Sequence, residues 1–278
     1  MIARRNLGLV GKHLALIVLL VVMLFPVYVM LKTSVTSFDA LFGWPPSWWP
    51  PHWSLHNYVE VLVGGYRFGQ AFLNSAIIAV STAALSIVFG FLAAYGLSRF
   101  HFRGRQALLF VALATQMFSP VVMIVSLYQI MRGYHLLNTH LAVILAESAL
   151  AIPIALWLLH GYLESIPVDL EEAAMIDGCS RLGSLRHVVL PLAAPGIAMA
   201  GIYTFIFAWN ALIFPLVFLN QDQMYPIPLA MSRFVGQNVV YWNLLMAGGI
   251  LATVPVALLF SFIQGVFVRG ITAGALKG

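Results

Sequence analysis

Six apolar runs, at residues 14–31, 72–98, 106–131, 139–161, 193–219 and 243–268, decide what this chain can become. A helix needs about 20 predominantly apolar residues to cross bilayer hydrocarbon, and each run is near the length of a tilted span. Only 8% of the residues are charged while 62% are hydrophobic. Globular domains carry about a quarter charged residues, and a soluble chain could not hide this much apolar surface. The expected fold class is therefore an all-α membrane protein, a six-transmembrane-helix bundle. The first run follows Arg4, Arg5 and Lys12. It is long for a signal-peptide core, and no small-residue cleavage site follows, so it reads as a retained first span.

Charge placement sets the orientation. Arg4, Arg5, Lys12, Arg99, Arg103, Arg105, Arg181, Arg186, Arg269 and Lys277 fall on one side of the alternating connections, and Lys32, Arg67, Arg132 and Arg233 on the other. Basic loops stay inside, which places both termini in the cytoplasm of a multi-pass cytoplasmic-membrane protein. The net charge of +5 is accounted for by these span ends, so nucleic acid is not an expected partner. The single cysteine, Cys179, excludes an internal disulfide and a cysteine-rich metal site. His52 and His56 lack further ligands, and no metal is expected.

The expected organisation has three parts. Residues 1–71 hold the first span and an outer loop in which Trp44, Trp48, Trp49 and Trp53 alternate with Pro45, Pro46, Pro50 and Pro51. Prolines at that density exclude a regular helix. The loop reads either as an aromatic anchor at the outer interface or as a surface for an external partner. Residues 72–268 form the transmembrane core, and 269–278 a cytoplasmic tail.

Between spans 4 and 5 the chain changes character. Five of its nine acidic residues, Glu164, Asp169, Glu171, Glu172 and Asp177, fall in 164–177, with Arg181 and Arg186 just beyond. Pro167 suits a first helical turn and the acids suit the positive end of a helix dipole. Leu170, Ala173, Ala174 and Asp177 share a face, and Gly178 is placed to stop the helix in the left-handed conformation. Ser180 is expected to cap a second short helix with a stripe of Leu182, Leu185 and Val189, ending at Pro191. This short helix pair, on the cytoplasmic side, either presents its small residues to a soluble partner or packs on its own bundle.

Polar residues within the runs need partners. They are Asn74, Gln116, Gln129, Glu147, Tyr203, Asn210 and Gln264. Glu147, the one acid expected inside a span, either serves function or forms an interhelical hydrogen bond. No phosphate-cradling loop, nucleophile elbow, paired-carboxylate site or zinc motif occurs. The chain is expected to have no catalytic residues and not to be an enzyme by itself.

The run Glu172-Ala173-Ala174, then Gly178, then Val188 and Leu190-Pro191, resembles the EAA loop (here 164–191) of type I ABC importer permeases. The family usually has isoleucine where Val188 stands. Asn74-Ser75, Ala94-Tyr95-Gly96-Leu97-Ser98-Arg99, Ala208-Trp209-Asn210 and the ending Gly270–Gly278 resemble the carbohydrate-importer group, of the maltose-transporter inner-subunit type. The resemblance covers nearly the whole chain.

It implies a carbohydrate permease working as a heterodimer with a second permease, two ATPase subunits and an extracytoplasmic solute-binding protein. ATP and Mg belong to the ATPases; this chain binds no cofactor. Glu171, Glu172, Ala173, Ala174, Asp177, Gly178, Leu190 and Pro191 would couple to an ATPase, with Thr272, Gly274, Lys277 and Gly278 as a second contact. Sugars are held by hydroxyl hydrogen bonds and aromatic faces, so Gln116, Glu147, Tyr203, Trp209 and Asn210 are pathway candidates. Glycerol phosphate or a polyol is the alternative cargo. An ion-coupled secondary transporter working through Glu147 is a further alternative, disfavoured because no internal repeat or broken helix pair is evident. A non-transporting scaffold is the last.

Overall fold

The computed structural model describes residues 2–236 and 238–275, with side chains for 12–236 and 238–261. Its elements follow the apolar runs. Helix α1 covers Ile2–Ser34, and the short α2 (Phe38–Leu41) and α3 (His56–Val63) follow. Then come α4 (Phe68–Arg99), α5 (Arg105–Ala114), α6 (Pro120–Gly133) and α7 (His140–Glu164). Helices α8 (Asp169–Ile176) and α9 (Arg181–Ser184) lead through a π turn at Leu185–Val189 into α10 (Leu190–Trp209). The chain closes with α11 (Ile213–Phe218), α12 (Ile227–Met231) and α13 (Trp242–Ala275). Among the described residues, five helical stretches are long and apolar enough to cross a membrane, at 12–34, 68–99, 140–164, 181–209 and 242–261.

The third span departs from expectation. It is a broken pair, α5 with its short 3-10 extension and α6, bent by 97°. The cause is local: a residue before proline is pushed out of the helical region, and Ser119 sits extended at φ −65, ψ 135. Ser119 also caps α6, its hydroxyl accepting from Val121 N at 3.3 Å, with Pro120 at the first helical position. A sharply bent helix pair is therefore present, and the expectation of none is corrected. The fifth span is also redrawn. Pro191 does not end the helix after Ser180; helix runs from Arg181 to Trp209 without interruption. The π turn immediately before Pro191 widens the backbone where proline lacks its N–H and would crowd the preceding turn. The helix stops at Asn210, and 213–218 is a separate element.

The described residues form two compact units, one from residues up to Gly69 with Met231–Val254, the other from Gln70–Ala230 with the residues from Pro255 on. In the first, the buried Asn57 amide donates to Ser34 O (2.8 Å) and Thr36 O (2.9 Å), and Asn243 Nδ2 donates to Asn57 Oδ1 (2.8 Å). The tryptophan loop folds back on α1, with Lys32 Nζ donating to Ser47 O and Tyr28 packed edge-on against Trp49. Trp44, Trp48, Trp49 and Trp53 all remain exposed.

The second unit is built around α7, which is buried along most of its length. Toward its Glu164 end it packs with Phe91, Ala94 and Tyr95 of α4 and Val189, Ala193 and Ala200 of the α9–α10 stretch. Toward its His140 end it packs with Met131 of α6 and Phe214 and Phe218 of α11. Small residues set the helix spacing: a Cβ at Gly90 would stand 3.1 Å from Leu156 N, and one at Gly196 2.5 Å from the Tyr162 ring.

Candidate functional site

Helix α8 begins at Asp169, two residues beyond Pro167, with Asp169, Glu171 and Glu172 in its first turn. The acids there complement the unpaired N–H groups of the helix start. Gly178 ends it as expected, at φ +94, a left-handed conformation that glycine takes without a Cβ penalty. Asp177 N donates to Ala173 O (3.0 Å) and Cys179 N to Ala174 O (3.0 Å), closing the helix end. Ser180 caps α9, its hydroxyl accepting from Gly183 N at 3.1 Å.

The two sides of α8 differ sharply. Asp169, Leu170, Glu172, Ala173, Ile176, Asp177 and Gly178 are exposed, Ile176 at 86%. Leu182 joins this outer surface at 74% exposure and so leaves the inward stripe assigned to it, which Val189 keeps. No Cβ contact within 4 Å awaits a side chain at Gly178, so its surroundings on this chain are open. Leu190 and Pro191 are exposed at the head of α10.

Glu171 alone among the coupling candidates is buried, 5% exposed. Its Oε1 accepts from Arg99 Nε, and its Oε2 from Tyr95 OH at 3.0 Å. Arg99, at the end of α4, also donates to Leu163 O (3.2 Å) and Ile166 O (3.0 Å). One guanidinium thus ties α4, the exit of α7 and α8 together. The Arg181 guanidinium lies 4.9 Å over the Phe100 ring and adds a second tie. The signal for this anchor stood in the sequence as Tyr95 and Arg99, four apart on one helix face. Their partner across the fold was not readable there.

The second candidate region is a cavity of about 610 Å³. Glu147 of α7, Tyr203, Phe207 and Asn210 from α10 and its end, Leu212, and Pro120 at the broken span all line it. Three of the five pathway candidates, Glu147, Tyr203 and Asn210, therefore meet in one place. Gln116 does not line it; its amide donates to Leu150 O at 2.8 Å, bracing the broken span against α7. Trp209 is buried, stacked on Phe205 (5.4 Å, 21°) and edge-on to Phe72 (5.4 Å, 82°). Pro120 was missed by sequence reasoning, although Ser119-Pro120 inside an apolar run is a break signal.

Elsewhere, Asn74 is structural, donating to Gln223 O (2.7 Å) and Tyr225 O (3.0 Å). Gln129 is exposed. Helix α13 carries Thr272 and Gly274 in its backbone, so the separate tail expected at 269–278 begins as helix. The side chains of Thr272 and Gln264, and the residues Lys277 and Gly278, lie outside the described residues. No group of three or more metal-ligating residues occurs among those described.

The sequence profile of the binding-protein-dependent transport system inner membrane component family matches residues 86–273. The sulfoquinovosyl glycerol transport system permease protein of Agrobacterium fabrum is 37% identical over 96% of this chain and 93% of that protein. The trehalose/maltose transport system permease protein of Thermococcus litoralis is 32% identical, covering 100% and 98%. A diacetylchitobiose uptake system permease protein of Streptomyces coelicolor is 31% identical over 99% of each. Among solved structures, a chain of a bacterial ABC transporter that imports the acidic polysaccharide alginate superposes with a TM-score of 0.79 at 23% identity, covering 95% and 97%. That likeness is one of fold. By its matched core and its near full-length relatives, the chain belongs to the family of binding-protein-dependent transport system inner membrane components.

Proposed function

We infer that this chain is a membrane-spanning permease subunit of an ABC importer that carries a carbohydrate across the cytoplasmic membrane. The sugar assignment is supported by relatives covering nearly the whole chain whose names specify sulfoquinovosyl glycerol, trehalose/maltose and diacetylchitobiose. The single observation that carries the mechanism is the two-sided α8: an exposed face of acidic, apolar and small residues on a helix pinned from behind by a buried ion pair. A lever must be stiff at its anchor and open at its contact. In this reading the Glu172–Gly178 face docks on an ATPase subunit in the cytoplasm, and Arg99 passes its movement to α4 and α7. A second permease completes the path, and an external solute-binding protein delivers the sugar. ATP binding draws paired coupling helices together and opens the spans outward; hydrolysis resets them.

The broken third span removes one argument against an ion-coupled carrier. Family membership supports the ATP-driven reading in its place. The test uses the complete assembly in proteoliposomes. Gly178→Asp is expected to abolish uptake while the protein still inserts, and Ala173→Trp to weaken co-purification of the ATPase. Normal uptake in Gly178→Asp would sink the coupling role.

A further inference from the structure

The tryptophan loop after α1 turns back toward the membrane that α1 has just crossed. It leaves the helix at Ser34 and returns to the same end at Ser54, whose N–H donates to Val35 O at 3.1 Å. Between these points it runs down the helix. Lys32 Nζ donates to Ser47 O, Tyr28 OH donates to Trp48 O, and the Trp49 ring meets Tyr28 edge-on at 6.0 Å. Tyr28 stands well before the helix end at Ser34, and a rise of about 1.5 Å per residue puts the loop tip roughly 9 Å below that end. The apolar stretch of α1 is 12–34, with Met23 at its midpoint. Hydrocarbon of about 30 Å centred there ends near Thr33, so the tip reaches past the boundary of the hydrocarbon.

The loop has the composition this depth requires. From Ala40 to Leu55 there is no Asp, Glu, Lys or Arg. Trp44, Trp48, Trp49 and Trp53 are 68–90% exposed, and Phe42 and Leu55 in the same stretch are exposed too. The four indole N–H groups bond no described residue. A large apolar ring with one N–H suits the boundary between headgroups and acyl chains, where the ring is buried and the N–H meets an oxygen. Resting on the reading of α1 as a span of a membrane permease, we propose that residues 42–53 form a lipid-seated clip, which doubles back beside α1 and sinks its indoles into the leaflet at the Ser34 end. The partner is phospholipid. The rings take the upper acyl region and the N–H groups take ester and phosphate oxygens, while Tyr28 and Lys32 tie the clip to α1 and fix the height of the span. Depth decides for lipid over a protein docking from the water, which would have to reach below the headgroups to touch Trp48 and Trp49. With no charge in the stretch, the seating is insensitive to salt.

The test is nitroxide depth in the complete permease–ATPase complex in phosphatidylcholine nanodiscs. One cysteine at a time is placed in this chain on a Cys179→Ser background, and the complex with Cys179→Ser alone is the blank. Trp49→Cys and Ser47→Cys report the tip, Asp39→Cys the water side, and Val22→Cys the middle of α1. The ratio of collisions with oxygen to collisions with a water-soluble nickel chelate should be at least about fivefold higher at Trp49→Cys than at Asp39→Cys, as for a group seated roughly 5–10 Å into the headgroup–acyl boundary. Raising salt from ~0.1 M to ~1 M should leave it unchanged. At Ser47→Cys the ratio should fall toward the Asp39→Cys value when Trp48→Ser and Trp49→Ser are added, because the indoles hold the loop down. Nickel access at Trp49→Cys equal to that at Asp39→Cys, or a Ser47→Cys ratio unmoved by loss of the indoles, would overturn the lipid assignment and leave the permease reading intact. Shielding of Trp49→Cys from both reagents, by the second permease or by added sugar-loaded solute-binding protein, would do the same. Nickel access at Val22→Cys would overturn the reading of α1 as a span, and the proposal with it.

Discussion

Removing the charge of Glu171 should free α8 from the bundle without unfolding the bundle. The side chains of Glu171 and Arg99 are each only 6% exposed, so Glu171→Gln leaves a buried guanidinium without its carboxylate. Breaking one side of such a pair costs about 3–5 kcal/mol. Arg99 keeps its bonds to Leu163 O, Ile166 O and the Ser98 hydroxyl, which points to the lower figure. About 3 kcal/mol is roughly a hundredfold rise in the open population of the helix. Hydrogen exchange of the α8 amides should accelerate by that factor, while the buried centre of α7 is unaffected. In the assembly, ATP hydrolysis should continue with less sugar moved per ATP. Replacing both partners, as in Arg99→Met with Glu171→Met, removes both buried charges and should recover much of the loss. The reasoning fails if α8 exchange is unchanged in Glu171→Gln, or if the double variant is as poor as the sum of the two single ones.

Three further outcomes are expected. Gly196→Ala forces a methyl against the Tyr162 ring, an overpacking cost of about 1–3 kcal/mol; the thermal midpoint should fall, and Tyr162→Leu in the same chain should restore part of it. Asn57→Leu strands the Ser34 and Thr36 carbonyls and the Asn243 amide, each worth about 1–3 kcal/mol when buried unpaired. Its unfolding midpoint should drop by at least about 4 °C, and an unchanged midpoint would deny the network its role. Gly178→Ala meets no clash but must hold a positive φ, a cost of about 1–2 kcal/mol confined to the α8 end, visible as local rather than global acceleration of exchange.

What could be read from the sequence divides along physical lines. Span positions, the α8 helix, its Gly178 stop and the Ser180 cap were legible because each depends on neighbouring residues: apolar length, a left-handed position, a hydroxyl three residues before an N–H. The pathway candidates Glu147, Tyr203 and Asn210 were legible as polar groups within apolar runs, though their convergence needed the fold. Two prolines misled in opposite directions. Pro120 broke a span read as continuous, because the residue before it took an extended conformation; Pro191 was read as a stop, yet the π turn at Leu185–Val189 absorbed it. Glu171 was grouped with its exposed neighbours because its inward role depends on Arg99, 72 residues earlier. Trp209 was read as a pathway residue for its chemistry, whereas aromatic neighbours on two sides bury it.

The central claim, that an ATPase attached at α8 drives sugar through this chain, is tested most directly by separating the two energy sources. Uptake of labelled neutral disaccharide in cells carrying the whole assembly should collapse when ATP is depleted and persist when a proton uncoupler is added at maintained ATP. Uptake that survives ATP depletion and stops with the uncoupler would contradict the account and shift attention to Glu147 as an ion-coupling group.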